Sequence, residues 1–133
     1  MNRATVLVVE DEPRLRFIIE RQLSEAGFDV LSEESGEAAL KTLGTQIPDL
    51  VLVNILLIGM DGIEVCKRIR GDLRLAHVPV IVLTARTDGQ SRRLCLAAGG
   101  SDYIPKPWRG EDLISRIRGA IAASAGSRNT ERS

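Results

Sequence analysis

The sequence predicts a single α/β domain, a doubly wound parallel sheet in which five strands alternate with five helices. Three observations carry this. Five short apolar runs, "TVLVV" (5–9), "FDVLS" (28–32), "DLVLVN" (49–54), "VPVIVLT" (78–84) and "SDYIP" (101–105), alternate with amphipathic segments. The first, third and fourth runs are almost continuously apolar, the pattern of central parallel strands covered on both faces. The chain is 133 residues long, enough for one ordinary core and no more.

Each intervening segment has its own helical punctuation. "EPRLRFIIERQLSEAG" (12–27) puts Leu15, Ile18, Ile19 and Leu23 on one stripe, with Pro13 in the first turn and Gly27 at the stop. "SGEAALKTLG" opens on a Ser35 cap and closes at Gly44. "GIEVCKRIRGD" turns Ile63, Cys66 and Ile69 inward, and "GQSRRLCLAAGG" has the weakest helical pattern of the five. "EDLISRIRGAIAAS" brings Leu113, Ile117 and Ile121 to the core, after which "SAGSRNTERS" turns polar. That change predicts a domain over 1–123 and a frayed tail, or the start of a linker, over 124–133.

Composition excludes several classes of function. Eighteen basic residues balance eighteen acidic ones, so no net field draws the chain to nucleic acid or an anionic membrane. No apolar run approaches the ~20 residues of a membrane-spanning helix, and acids follow the first apolar run at once, unlike a signal peptide. Cys66 and Cys95 lack metal-ligand spacing and sit in helical apolar patterns, as reduced core cysteines do. A cytoplasmic setting is the expectation.

In open parallel sheets, ligands bind beyond the carboxyl ends of the strands. There the sequence places Glu10, Asp11 and Glu12 after the first strand, Asn54 at the end of the third, Thr84 at the end of the fourth and Lys106 after the fifth. Asp11 can cap the helix that begins at Glu12-Pro13, yet adjacent carboxylates repel unless a cation or helix N-terminus compensates. Hard oxygen ligands with few protein contacts suit Mg²⁺, which keeps several waters and bridges to phosphate. Lys106 can offer a point charge and Thr84 a hydroxyl to phosphoryl oxygens. Together these residues read as a metal-assisted phosphoryl site.

"VLVVEDE", "PDLVLVNILLIGMDGIEVCKRIR", "VPVIVLTA" and "GGSDYIPKPW" resemble the blocks of the receiver domain of two-component response regulators, over about residues 4 to 122. The resemblance implies a flavodoxin-like (βα)₅ fold with strand order 2-1-3-4-5, and a strand-three aspartate phosphorylated from a partner kinase's phosphohistidine with Mg²⁺. By position, Glu10, Asp11 and the Leu56 carbonyl match the metal ligands. Thr84 matches the switch hydroxyl, Ala85 the small residue beside the phosphoryl group, Lys106 the phosphate-binding lysine and Tyr103 the aromatic that follows the switch. The phosphoacceptor position holds Asn54, which can also offer its carbonyl to a metal.

An amide has the shape of a carboxylate without its charge or nucleophilicity, so an acyl phosphate is not expected, and Mg²⁺ is expected to bind more weakly. Val53 and Ile55 supply no substitute hydroxyl, and Ile58, where the family usually has proline, is a second departure. Two origins fit: a deliberate Asp-to-Asn replacement that switches a receiver off, and a receiver that signals without phosphate.

The same resemblance implies docking of a sensor histidine kinase or phosphotransfer protein on the first helix, through Arg14, Leu15 and Ile18. It implies an output face on the fourth helix, fifth strand and fifth helix, with Arg92, Arg93, Tyr103, Trp108 and Arg109, which is a candidate homodimer surface. The leading expectation is a binding module rather than an enzyme. The alternative is a Mg²⁺-dependent phosphohydrolase-like domain, disfavoured because it needs a nucleophilic aspartate where Asn54 stands. A dinucleotide-binding domain is set aside because "VEDEPR" would repel a pyrophosphate and lacks the glycine-rich turn. DNA binding by this chain alone is not expected, given its zero net charge and the lack of a recognition motif.

Overall fold

The computed structural model describes residues 3–132 apart from 56, 58 and 86–88, and backbone alone over 126–132. Five strands, β1 (Thr5–Val9), β2 (Asp29–Glu33), β3 (Leu50–Asn54), β4 (Val80–Thr84) and β5 (Asp102–Pro105), form one sheet in the order β2-β1-β3-β4-β5. Every pairing is parallel. The helices α1 (Pro13–Glu25), α2 (Gly36–Leu43), α3 (Gly62–Arg70), α4 (Gly89–Ala97) and α5 (Gly110–Arg132) connect and flank the strands, with a short 3₁₀ turn at Leu73–Leu75.

The period-two alternation of strand side chains splits the core into two layers. Leu7, Val9, Val51, Val53, Val80 and Val82 point to one face, where Ala39, Leu43, Val65, Cys66, Ile69 and Cys95 of α2, α3 and α4 cover them. Val6, Val8, Leu50, Leu52, Ile81 and Leu83 point to the other, under Ile19 and Leu23 of α1 and Leu113 and Ile117 of α5. β3 and β4 are buried along their whole length, which is why their sequences are continuously apolar, whereas the edge strand β2 is half-exposed.

One local expectation changes. Glu12, not Asp11, caps α1: its carboxylate accepts from Arg14 N at 3.2 Å and Leu15 N at 2.6 Å, the longer side chain reaching back over a first turn that starts with Pro13. The helix α5 runs to Arg132, through the change of composition near residue 123. Residues 124–132 contain no proline, so nothing in them forbids the helical backbone.

β1 lies between β2 and β3, so the chain leaves β1 toward one edge of the sheet and later crosses to the other. The loops after β1 and β3 therefore diverge and leave a crevice at the carboxyl ends of the strands.

Candidate functional site

Glu10 is the first residue past β1 and is only 1% exposed. Its backbone is fixed on both sides: its N–H donates to Glu33 O at 3.0 Å, and its carbonyl accepts from Arg16 Nη1 at 2.8 Å. Because Val9 is in register with Val53, the next residues, Glu10 and Asn54, meet across the end of the sheet. The Asn54 amide donates Nδ2 to both carboxylate oxygens of Glu10, each at 3.0 Å. Oε2 also accepts Glu12 N–H at 3.1 Å, and Lys106 Nζ lies 3.6 Å from Oε1. A buried carboxylate is costly unless it is paired and hydrogen-bonded, and here it has three kinds of donor.

The "GMDG" stretch shapes the floor beneath Asn54. Gly62 N donates to Ile55 O at 3.0 Å, and a Cβ on Gly62 would stand 2.4 Å from Asn54 O. Only glycine lets α3 start this close to the end of β3. Asp61 caps α3 by accepting from Glu64 N at 2.9 Å, and Glu37 of α2 accepts from Met60 N at 3.0 Å.

Thr84 ends β4 fully buried and Ala85 follows it exposed at the rim. Lys106 is anchored by its own N–H, which donates to Thr84 O at 2.7 Å, and its peptide bond to Pro107 is cis. The structure thus brings Glu10, Asn54, Thr84 and Lys106 together at the ends of β1, β3, β4 and β5, with half-buried Asp11 beside Glu10 in the chain. Leu56 and Ile58 lie outside the described residues. Among the described residues, no group of three or more His, Cys, Asp or Glu side chains is placed to hold a metal ion.

The residues expected on the output face divide. Tyr103 of β5 is half-buried against the α2–α4 layer, and Arg92 and Arg93 are exposed on α4, as is Arg109 before α5. Trp108 does not belong with them. It packs on the opposite layer and donates Nε1 to Gln22 Oε1 of α1 at 3.1 Å, because the chain after Lys106-Pro107 turns toward α1 before α5 begins. There it lines an apolar groove of about 370 Å³ with Leu15, Ile18, Gln22, Lys106 and Pro107.

Arg14 and Ile18, expected to dock a partner, are exposed, and Leu15 is half-buried in that groove. Sequence reasoning missed Phe17, which is 60% exposed, and Arg16, which clamps the Glu10 backbone. An exposed phenylalanine within "LRFII" was the available signal for the first; nothing marked the second, whose partner is a carbonyl.

Residues 6–118 match the family profile described as the response regulator receiver domain. The chain belongs to that family. It is 40% identical over 117 residues to the transcriptional regulatory protein AfsQ1 of Streptomyces coelicolor, and 38% identical over 119 residues to the DNA-binding response regulator MtrA of Mycolicibacterium smegmatis. These matches cover 88% and 90% of the receiver chain but 51% of each relative, so the chain spans about half the length of the curated relatives it matches.

Among solved structures, the receiver domain of the sensor histidine kinase PA1611 of Pseudomonas aeruginosa, which holds a magnesium ion in its active-site cleft, superposes with a TM-score of 0.85 at 30% identity. That match covers 91% of this chain and 99% of the other. The receiver domain of a signal transduction histidine kinase from Syntrophus aciditrophicus also gives 0.85, at 29% identity, covering 90% and 91%. The five-stranded flavodoxin-like fold with order 2-1-3-4-5 is therefore the receiver fold, and the chain is a signal-transduction module of the two-component type. No helix among the described residues is long and apolar enough to cross a membrane.

Proposed function

We propose that this receiver domain works in two-component signalling as a binding module that does not take up a phosphoryl group, rather than as an enzyme. The observation that carries this reading is the bidentate hydrogen bond from Asn54 Nδ2 to Glu10. Asn54 stands at the strand-three position from which the family's aspartate attacks phosphorus. Its nitrogen is a donor with no available lone pair, and its carbonyl oxygen is neutral. Val53 and Ile55 on either side carry no nucleophile.

The partner we assign is a cytoplasmic sensor histidine kinase or phosphotransfer protein. It docks on the exposed Arg14, Phe17 and Ile18 and on the groove formed with Trp108, where a large apolar surface is ringed by charge. The exposed α4 residues Arg92, Arg93, Leu94 and Leu96 are a second surface, assigned to output or to a homodimer. A chain of balanced charge has no field for nucleic acid of its own.

The residues present suit Mg²⁺ in chemical type: Glu10 and Asp11 carboxylates and the Asn54 carbonyl are hard oxygen donors. When bound in a receiver site, the ion offsets charge on the incoming phosphoryl group. In this chain, Lys106, Asn54 and the Glu12 N–H already serve Glu10, so the ion binds weakly.

The test is phosphotransfer from acetyl phosphate with Mg²⁺, read by intact mass, on the chain and on Asn54→Asp. The reading expects a phosphoryl adduct on the variant alone. An adduct on the chain itself overturns it.

A further inference from the structure

Three buried or half-buried groups, Glu10, Asn54 and Lys106, meet at the crevice. One carboxylate, one ammonium and one neutral amide sum to zero charge, and Asn54 Nδ2 and Lys106 Nζ both face Glu10 oxygens. The amide orientation follows from the partner: turning Asn54 over would set its carbonyl oxygen against a carboxylate. With only 1% of Glu10 exposed, water cannot take over these contacts.

An aspartate in the same rotamer would place a second carboxylate oxygen 3.0 Å from each Glu10 oxygen, with Lys106 the cation paired to Glu10 among the described residues. Such a pair is stable only when a further cation joins it or a proton stays on. Asparagine removes that demand.

We propose that Glu10 is the built-in anion of this site: it latches β1 to β3 and to the β5–α5 loop without any divalent cation, and a divalent cation must compete with Asn54 and Lys106 for it. The inference deepens the function proposed above, and rests on it for the identity of Mg²⁺ as the competing ion. In the latched state, Glu10 itself holds Lys106 in place. Trp108, the only tryptophan and two residues beyond Lys106, stands where it can report a change in that loop.

The test is thermal unfolding with Trp108 emission, in EDTA and across a Mg²⁺ titration, for the chain, Asn54→Asp and Lys106→Met. Ligand that binds only the folded state raises its melting temperature, so the shift reads Mg²⁺ affinity. The latch expects the chain to melt at the same temperature in EDTA as in Mg²⁺. Asn54→Asp should melt lower than the chain in EDTA and recover with Mg²⁺. Lys106→Met, which removes one competitor for Glu10, should show a larger Mg²⁺ shift than the chain.

Equal Mg²⁺ shifts in the chain and in Asn54→Asp overturn the latch, as does a Lys106→Met variant that responds to Mg²⁺ no better than the chain. If Asn54→Asp fails to fold in EDTA yet folds in Mg²⁺, the proposal stands on that contrast. No phosphate enters this measurement, so a chain that accepts phosphate would refute the function proposed above and leave the latch untouched.

Discussion

Trp108 and Gln22, 86 residues apart in sequence, are joined by one hydrogen bond of 3.1 Å from the indole N–H to the amide oxygen. It ties the loop that carries Lys106 to the last turn of α1, and so couples the Lys106 side of the crevice to the surface proposed for kinase docking. Gln22→Ala should lower stability by about 1 kcal/mol, the net worth of a typical side-chain hydrogen bond. It should also shift Trp108 emission to longer wavelength as the ring gains water. Urea unfolding followed by fluorescence reads both, and an unchanged emission maximum would show that the indole is held by packing alone.

Two glycines make opposite predictions. Gly62→Ala forces a Cβ within 2.4 Å of Asn54 O and 2.7 Å of Ile55 Cα, both backbone atoms that cannot give way without moving the end of β3. It should cost at least ~2 kcal/mol, in the upper range for overpacking. Gly119, inside α5, has nothing within 4 Å of its Cβ position, and Gly119→Ala should stabilise by up to about 1 kcal/mol through helix propensity. Paired denaturation curves decide; a neutral Gly62→Ala would mean that α3 can slide away from the site.

Arg70 holds the end of the sheet opposite the crevice through three backbone carbonyls. Its Nε donates to Gly99 O at 2.9 Å and its Nη1 to Ala76 O at 3.1 Å, while Nη2 donates to Val78 O. These bonds join α3 to the ends of the β3–β4 and α4–β5 connections. Arg70→Met keeps much of the stem and strands three carbonyls, so a loss of about 2 kcal/mol is expected. The same change should leave phosphate and Mg²⁺ responses as they are, since the crevice is at the other end of the strands.

Cys66 is wholly buried, and burial pushes its thiol above the usual range, with Arg70 pulling weakly the other way. In the unfolded chain the thiol ionises at its ordinary value, so the unfolded state loses its proton first as pH rises. The stability tied to this group is therefore complete below the ordinary thiol pKa and declines as pH rises through the raised folded value. The free thiols of Cys66 and Cys95 should resist iodoacetamide in the native protein and react together on unfolding. Rapid native alkylation of either would show that the α3–α4 layer opens locally.

The sequence by itself determined the layering and the cast of the crevice. Runs such as "DLVLVN" could only be central strands, because a continuous apolar run of that length has no solvent face, and Glu10, Asn54, Thr84 and Lys106 had to fall at strand ends once the strands were known. Ser35 and Gly44 marked α2 correctly because caps satisfy backbone groups locally, within a few residues. What only the tertiary structure decided were contacts between side chains distant in sequence. Asp11 was the cap expected from sequence, and the structure gives that role to Glu12, whose longer side chain reaches back over the turn that starts with Pro13. Trp108 was expected on the output face, and its indole instead meets Gln22 on the opposite layer. The sequence suggested that Asn54 could offer its carbonyl to a metal; that its amide nitrogen donates to Glu10 came only from the parallel register that sets the two side by side. Register is a property of two strands and of the core that clamps them, so no single stretch of sequence encodes it.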